Sequence, residues 1–239
     1  MTLTCPHCQK PYIEKEFTVG NYSSKIPYPQ CDCEKKEIAR LEAQEKERER
    51  MRRIAALNLP AIFEPFRLKD LTCEHAADAQ IYVEGFTPRK SKGLFIYGPN
   101  GNGKTTLGAV ICKELAYRGR RVLFTTMTKT LNAMQECGGY NQAASATKVL
   151  KDLTLYDFVL FDDYGRENYT PLRLQNVFQI VDQLYTHRTV FAVTVNPECM
   201  GRLQNYPELE AIKDRMAQVL MSWAFTGPSL RRTNKWSSI

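Results

Sequence analysis

The stretch that most restricts what this chain can fold into is GPNGNGKTT, residues 98–106. Gly98, Gly103, Lys104 and Thr105 satisfy the spacing G-x-x-x-x-G-K-[ST] in full. The stretch follows an apolar run, GLFIYG, and opens a run of helix formers that Gly119 stops. Glycines let such a loop wrap with its amide N–H groups turned inward, and the helix behind it adds a positive end. Together they cradle phosphate oxygens. The predicted nucleotide loop is therefore Gly98, Pro99, Asn100, Gly101, Asn102, Gly103, Lys104, Thr105 and Thr106. The expected ligands are ATP/ADP and Mg²⁺: Lys104 is expected to reach the β and γ phosphates, and the Thr105 hydroxyl to ligate the metal.

Such a loop demands strand, turn and helix in succession, and the downstream chain repeats that grammar. RRVLFTTM reads as a strand, residues 128–151 as helical and polar, and YDFVLFD as a strand. LRLQNVFQIVDQLYTHR reads as a helix, TVFAVTVN as a strand, and SWAFTG as a last short one. Several strands are apolar without alternation, as parallel strands covered on both faces are. The expected fold is α/β with a central parallel sheet, its ligands at the carboxyl ends of the strands.

Two of those strands end in candidate site residues. FVLFDDYG places Asp162 and Asp163 where an apolar strand stops. A nucleotide-bound Mg²⁺ needs a carboxylate from a neighbouring strand end, which assigns Asp162 to the metal. Asp163 either acts as general base on the attacking water or caps the next turn. Asn196, at the end of TVFAVTVN, either holds that water or starts a turn before Pro197.

Residues 1–33 hold four cysteines and four prolines and few aliphatics, too little for an apolar core. CPHC and CDC supply Cys5, Cys8, Cys31 and Cys33, a thiolate set able to close a structural zinc site that would hold the module together. His7 is an alternative ligand, and a redox pair is the competing use of CPHC. Cys73, Cys112, Cys137 and Cys199 are scattered and read as small apolar fillers. Residues 34–57 contain neither Gly nor Pro and read as a helix, polar through the middle. Ile38 and Leu41 could dock one end and Met51, Ile54 and Leu57 the other. This gives three parts: a zinc-binding partner module (1–33), a linker helix (34–57) and the nucleotide-binding domain (58–239).

The net charge of +7 permits an anionic partner without naming one. No apolar run approaches the roughly 20 residues of a membrane span. The first residues lack a basic then apolar leader, so a cytoplasmic location and no membrane partner are expected.

With these residues placed, 58–239 resembles the AAA+ ATPases, and within them the bacterial helicase-loader branch typified by DnaC and DnaI, with the related transposition helper IstB. The likeness rests on GPNGNGKTT as Walker A, FVLFDDYG as Walker B, TVN as a sensor I strand, AIKDRM as an arginine-finger segment, FTGPSLRR near the end, and LNLPAIFEPFRLKDL as the entry to the core. The resemblance implies a slow, switch-like ATPase that delivers a hexameric replicative helicase to single-stranded DNA. It implies that the zinc-bearing head engages the helicase and that Arg215 reaches the nucleotide of a neighbouring subunit on self-association. It also implies a sensor II role for Arg231 or Arg232, Arg231 being preferred. Many members carry Glu where this chain has Asp163. Lys129, Tyr140, Lys148 and Lys151 are the candidate DNA contacts. A transposition helper, a non-hydrolysing adaptor that occupies the helicase, and a general single-strand-binding protein are the alternatives.

Overall fold

A computed structural model describes residues 3–20, 22–57, 59–135, 142–203 and 206–230. The chain divides into two compact units, Met1–Met51 and Arg52–Ile239.

In the first unit, β1 (Tyr12–Val19) and β2 (Tyr22–Pro29) pair antiparallel from Tyr12 opposite Pro29 to Val19 opposite Tyr22. The composition of 1–33 hid this hairpin, although the strands read with a period of two and Gly20, at φ 62°, ends the first. Helix α1 (Cys33–Ala56) buries none of its residues. Ile38, Leu41 and Met51, expected to dock the helix ends, are 51%, 55% and 52% exposed. Only Ile54 and the following Leu57 join a core. The middle of the helix stands on propensity and on (i, i+3) ion pairs such as Arg40–Glu37 and Arg48–Glu45, each contributing a few tenths of a kcal/mol.

The second unit is built on a parallel sheet of β3 (Gly93–Tyr97), β4 (Val122–Thr126), β5 (Phe158–Tyr164), β6 (Val190–Val195) and β7 (Leu220–Ala224), in the order β4-β5-β6-β3-β7. Its strands feed two apolar layers alternately. Leu94, Ile96, Phe158, Leu160 and Ala192 face one layer with α2 (Ala76–Gly85) and α3 (Lys104–Tyr117). Val159, Phe161, Phe191, Val193 and Val195 face the other with α4 (Met127–Gln135), α5 (Gln142–Thr154), α6 (Pro171–Thr186) and α8 (Glu210–Val219). Two covered faces explain why the strands read as unbroken apolar runs. The stretch 128–151, read as one helical region, is two helices, and β7 starts two residues before the predicted SWAFTG.

Two contacts set α3 against this frame. A Cβ on Gly108 would lie 2.5 Å from Leu160 Cδ1, so only glycine lets the helix lie this close to β5. Buried Lys113 donates from Nζ to the carbonyls of Phe63, Glu64 and Phe66 at 3.3, 2.6 and 2.9 Å, tying the entry segment to the helix. Burial holds its ammonium below the usual lysine range, with Arg67 adding to the effect.

Candidate nucleotide site and cysteine cluster

Gly98, Gly101 and Gly103 take φ of 146°, 90° and 93°, which wraps the loop between β3 and the amino end of α3. Lys104 and Asn102 are buried, and Lys104 Nζ donates to the Pro99 carbonyl at 2.6 Å. The segment after β7 lies along this loop. Asn102 Nδ2 donates to Gly227 O at 2.6 Å, Leu230 N to Gly101 O at 2.9 Å, and a Cβ on Gly98 would meet Phe225 O at 2.2 Å. Glu74 accepts from the Thr226 amide and hydroxyl at 2.7 and 2.9 Å, and His75 stacks on Trp223 at 5.4 Å. Sequence reasoning did not single out Glu74 or His75, since nothing in the local pattern marks a contact across 150 residues of chain.

The acids do not sit where the strand stops. β5 runs on to Tyr164, and its pairing with β6 slips between Phe161 and Tyr164: Phe161 faces Val193 and Tyr164 faces Val195. Three steps on one strand against two on the other make a bulge, with Asp162 and Asp163 opposite Thr194. Bulges re-aim side chains at the cost of local pairing, and here Asp163 takes φ 54°. Both carboxylates thereby leave the apolar layers and become partly exposed.

Thr194 on β6 ties the bulge together. Its hydroxyl donates to Asp162 Oδ1 at 2.6 Å and accepts from the Asp163 amide at 2.8 Å. Burial pushes the Asp162 carboxyl above its ordinary range, opposed by the Thr194 hydrogen bond and by the Thr105 side chain, which both favour the carboxylate. That influence of Thr105 puts the first turn of α3 beside Asp162, bringing together the two residues assigned to Mg²⁺. Asn196, buried at the start of α7 (Pro197–Leu203), donates to Asp163 Oδ1 at 3.1 Å, and Arg166 pairs with Oδ2 at 3.2 Å. Two oxygen ligands, a buried lysine and a glycine cradle at a helix amino end suit a triphosphate with its hard cation. Sequence reasoning missed Thr194 because one Thr in a β-rich run carries no signal until its strand partner is known.

Arg215 is held within its own chain: Nε lies 3.1 Å from Asp182 Oδ1, and the guanidinium lies 4.9 Å from the Phe178 ring centre. Arg231, Arg232 and Tyr140 fall outside the described residues. Lys129, Lys148 and Lys151 are exposed on α4 and α5.

Over residues 35–238 the chain matches the family described as IstB-like ATP binding protein. The chain belongs to that family. This IstB-like chain has the AAA+ fold of the DnaC and IstB group. It is 30% identical over 169 residues to the replicative helicase loader DnaC of Escherichia coli K12, a match covering 68% of this chain and 65% of that one. It is 22% identical over 161 residues to a putative insertion sequence ATP-binding protein of Sinorhizobium fredii, covering 66% and 64%. The chain thus spans about two thirds of the length of these relatives. The crystal structure of the DnaC helicase loader superposes with a TM-score of 0.58 at 18% identity, covering 70% of this chain and all of that one, a likeness of fold.

In the first unit the Sγ atoms of Cys5, Cys8, Cys31 and Cys33 all lie within 4.8 Å of one another; His7 is not among them. Four thiolates around Zn²⁺, with Zn–S bonds of about 2.3 Å, stand ~3.8 Å apart, so the cluster fits that ion. The backbone explains the two knuckles. Gln9, at φ 59°, closes a turn in which its amide donates to Cys5 O at 2.8 Å. Cys33 is the first residue of α1, which is why one intervening residue suffices in CDC. Amides of Cys8 and His7 lower the Cys5 thiol to about 6. The Cys8 thiol, burial, and the Cys31 and Cys5 thiols push Cys33 up to about 12. The Cys5 thiolate therefore forms readily while Cys31 and Cys33 resist, a conflict that a bound dication would resolve.

No helix among the described residues is long and apolar enough to cross a membrane.

Proposed function

We propose that this IstB-like protein is an ATP-driven loader that delivers a hexameric replicative helicase to single-stranded DNA. The observation that carries the reading is the pairing, in one chain, of an AAA+ nucleotide site with a separate cysteine-clustered unit that presents an unpaired apolar face. On the hairpin, Ile13, Phe17 and Val19 lie on the same face as Tyr22, Ile26 and Tyr28 because side chains alternate with a period of two; Ile13 stands opposite Tyr28 and Val19 opposite Tyr22, while Lys15 opposite Ile26 and Ser24 opposite Phe17 are the polar residues of that face. Val19 and Tyr22 are 82% and 85% exposed, and the other four between 37% and 47%. The opposite face carries Glu14, Glu16, Thr18, Ser23 and Lys25. A small module held by Zn²⁺ rather than by a core can afford to leave its apolar residues for a protein partner.

In the nucleotide site, Lys104 and the loop amides hold the phosphates, and Thr105 and Asp162 ligate Mg²⁺. Asp163, oriented by Asn196 and the bulge, takes the proton of the attacking water as the bond from the γ phosphorus to its bridging oxygen breaks. Turnover is slow in the isolated chain. Asp163 is shared with Arg166, and Arg215 reaches a neighbouring site only after leaving Asp182. Self-association and single-stranded DNA along Lys129, Lys148 and Lys151 would then time hydrolysis.

The test is capture with the full chain and MgATP from bacterial lysate, followed by strand unwinding on a closed single-stranded circle. Recovery of a hexameric helicase and stimulated unwinding support loading. Recovery of a transposase instead supports the second reading, a transposition helper, which the IstB-like family match favours.

A further inference from the structure

We propose that the second unit carries a second phosphate-binding site, on the sheet edge opposite the nucleotide loop. A cleft of about 520 Å³ opens there, lined by Arg89, Lys90 and Lys92 from the turn before β3, Arg188 from the turn before β6, and Gln218 near the start of β7. Gly93 and Val190 in its wall are the amino ends of two parallel strands, and Val219 ends α8 one residue before a third. The nucleotide loop follows the carboxyl end of β3, five residues and roughly 16 Å away at strand rise. The cleft is therefore no extension of the ATP site.

Its chemistry is one-sided. No carboxylate lines it. Arg89 donates to His187 O at 3.0 Å, to Thr154 O at 2.5 Å and to the Thr189 hydroxyl, so only helix carboxyl ends and a hydroxyl, and no carboxylate, face its charge at the floor. Lys90, Lys92 and Arg188 are exposed, and their side chains have no ion-pair partner among the described residues. Gln218 has its carbonyl oxygen occupied by the Tyr185 hydroxyl at 2.9 Å, which leaves its amide N–H groups as donors.

Helices α2, α6 and α8 end at this edge, and cations offset helix carboxyl ends. With α5, whose last residue Thr154 accepts from Arg89, four such ends bring roughly two negative charges in all against four full positive ones, so a surplus remains that is not spent on the fold. Backbone geometry agrees. Arg89 and Arg188 both take positive φ, 65° and 52°. Arg188 occupies the left-handed position closing α6, with the Thr189 amide returning to Leu184 O at 2.9 Å. Glycine serves such a position at lower cost, and here two of them carry arginine.

A cleft of this volume with four cations and no carboxylate in its lining fits an anion bearing two or more phosphates, either a stretch of nucleic-acid backbone or a free polyphosphate. The test uses the full chain and Lys90→Glu/Lys92→Glu/Arg188→Glu, three surface changes whose folding is checked by melting. Fluorescence anisotropy with labelled oligo(dT) over a salt series, and calorimetry with tripolyphosphate in a Lys104→Ala background, read the two sources. If backbone is the ligand, the triple change weakens oligo(dT) at least tenfold and flattens the logarithmic salt slope by about 2, while ATP affinity stays unchanged. If a free polyphosphate is the ligand, tripolyphosphate binds the Lys104→Ala protein and the triple change abolishes that heat. If the triple change alters neither, the proposal is overturned, whatever the helicase-loading test returns.

Discussion

Thr194→Val isolates the device that organises the acids. Valine keeps the volume and β-branching of threonine but removes the hydroxyl that serves both aspartates. Two losses follow in a side chain only 1% exposed. A hydrogen bond to a carboxylate contributes about 1.5–3 kcal/mol, and the Asp163 amide, left without its acceptor, costs about 1–3 kcal/mol. The variant should therefore lose about 3–5 kcal/mol of stability near pH 8, lowering the melting temperature by roughly 10 °C. The loss should depend on pH. Burial already holds the Asp162 carboxyl above its ordinary range, so the fold favours the neutral acid. That stabilisation is complete below the unfolded carboxyl's titration and disappears as pH rises through the folded one. Without Thr194 the carboxylate is disfavoured further, so the deficit should grow with rising pH across that window and shrink toward acid, where only a neutral hydrogen bond is missing. Urea unfolding of both proteins from pH 5 to pH 8, without nucleotide, measures it. A deficit below 1 kcal/mol, or one independent of pH, would refute the role given to Thr194.

Lys104→Ala should abolish the rise in melting temperature that saturating MgATP gives the parent, about 2.7 kcal/mol at a hundredfold excess over Kd, in a thermal shift assay. Asp163→Asn keeps an oxygen for Asn196 but no base; ATP binding should persist while phosphate release, followed colorimetrically, slows at least a hundredfold. Metal analysis should find one zinc per chain in the parent and close to none in Cys33→Ser, whose hairpin should also open to proteolysis, with ATP affinity unaffected. Lys113→Met strips three carbonyls of their shared donor and should cost about 2–4 kcal/mol in urea unfolding, without changing nucleotide affinity.

What could be read along the chain was whatever short-range pattern encodes. A phosphate loop is a contiguous arrangement of glycines before a helix, so GPNGNGKTT announces itself, and the apolar runs around it imply a parallel sheet covered on both faces. The cysteine pairs likewise carry their ligand spacing. The hairpin between them was legible in its alternation but was obscured by the poverty of aliphatic residues in that region. What the linear order could not disclose depends on which strands become neighbours. β6 lies between β5 and β3, and that placement puts Thr194 opposite the acids, forces the bulge, turns Asp163 to positive φ and brings Asn196 to its carboxylate. The same packing holds Arg215 against Asp182 and gathers four cations from two turns into one cleft. Periodicity reports on residues a few positions apart, whereas hydrogen bonds and fields across a sheet join residues tens of positions apart, and these contacts exist only once the strands have paired.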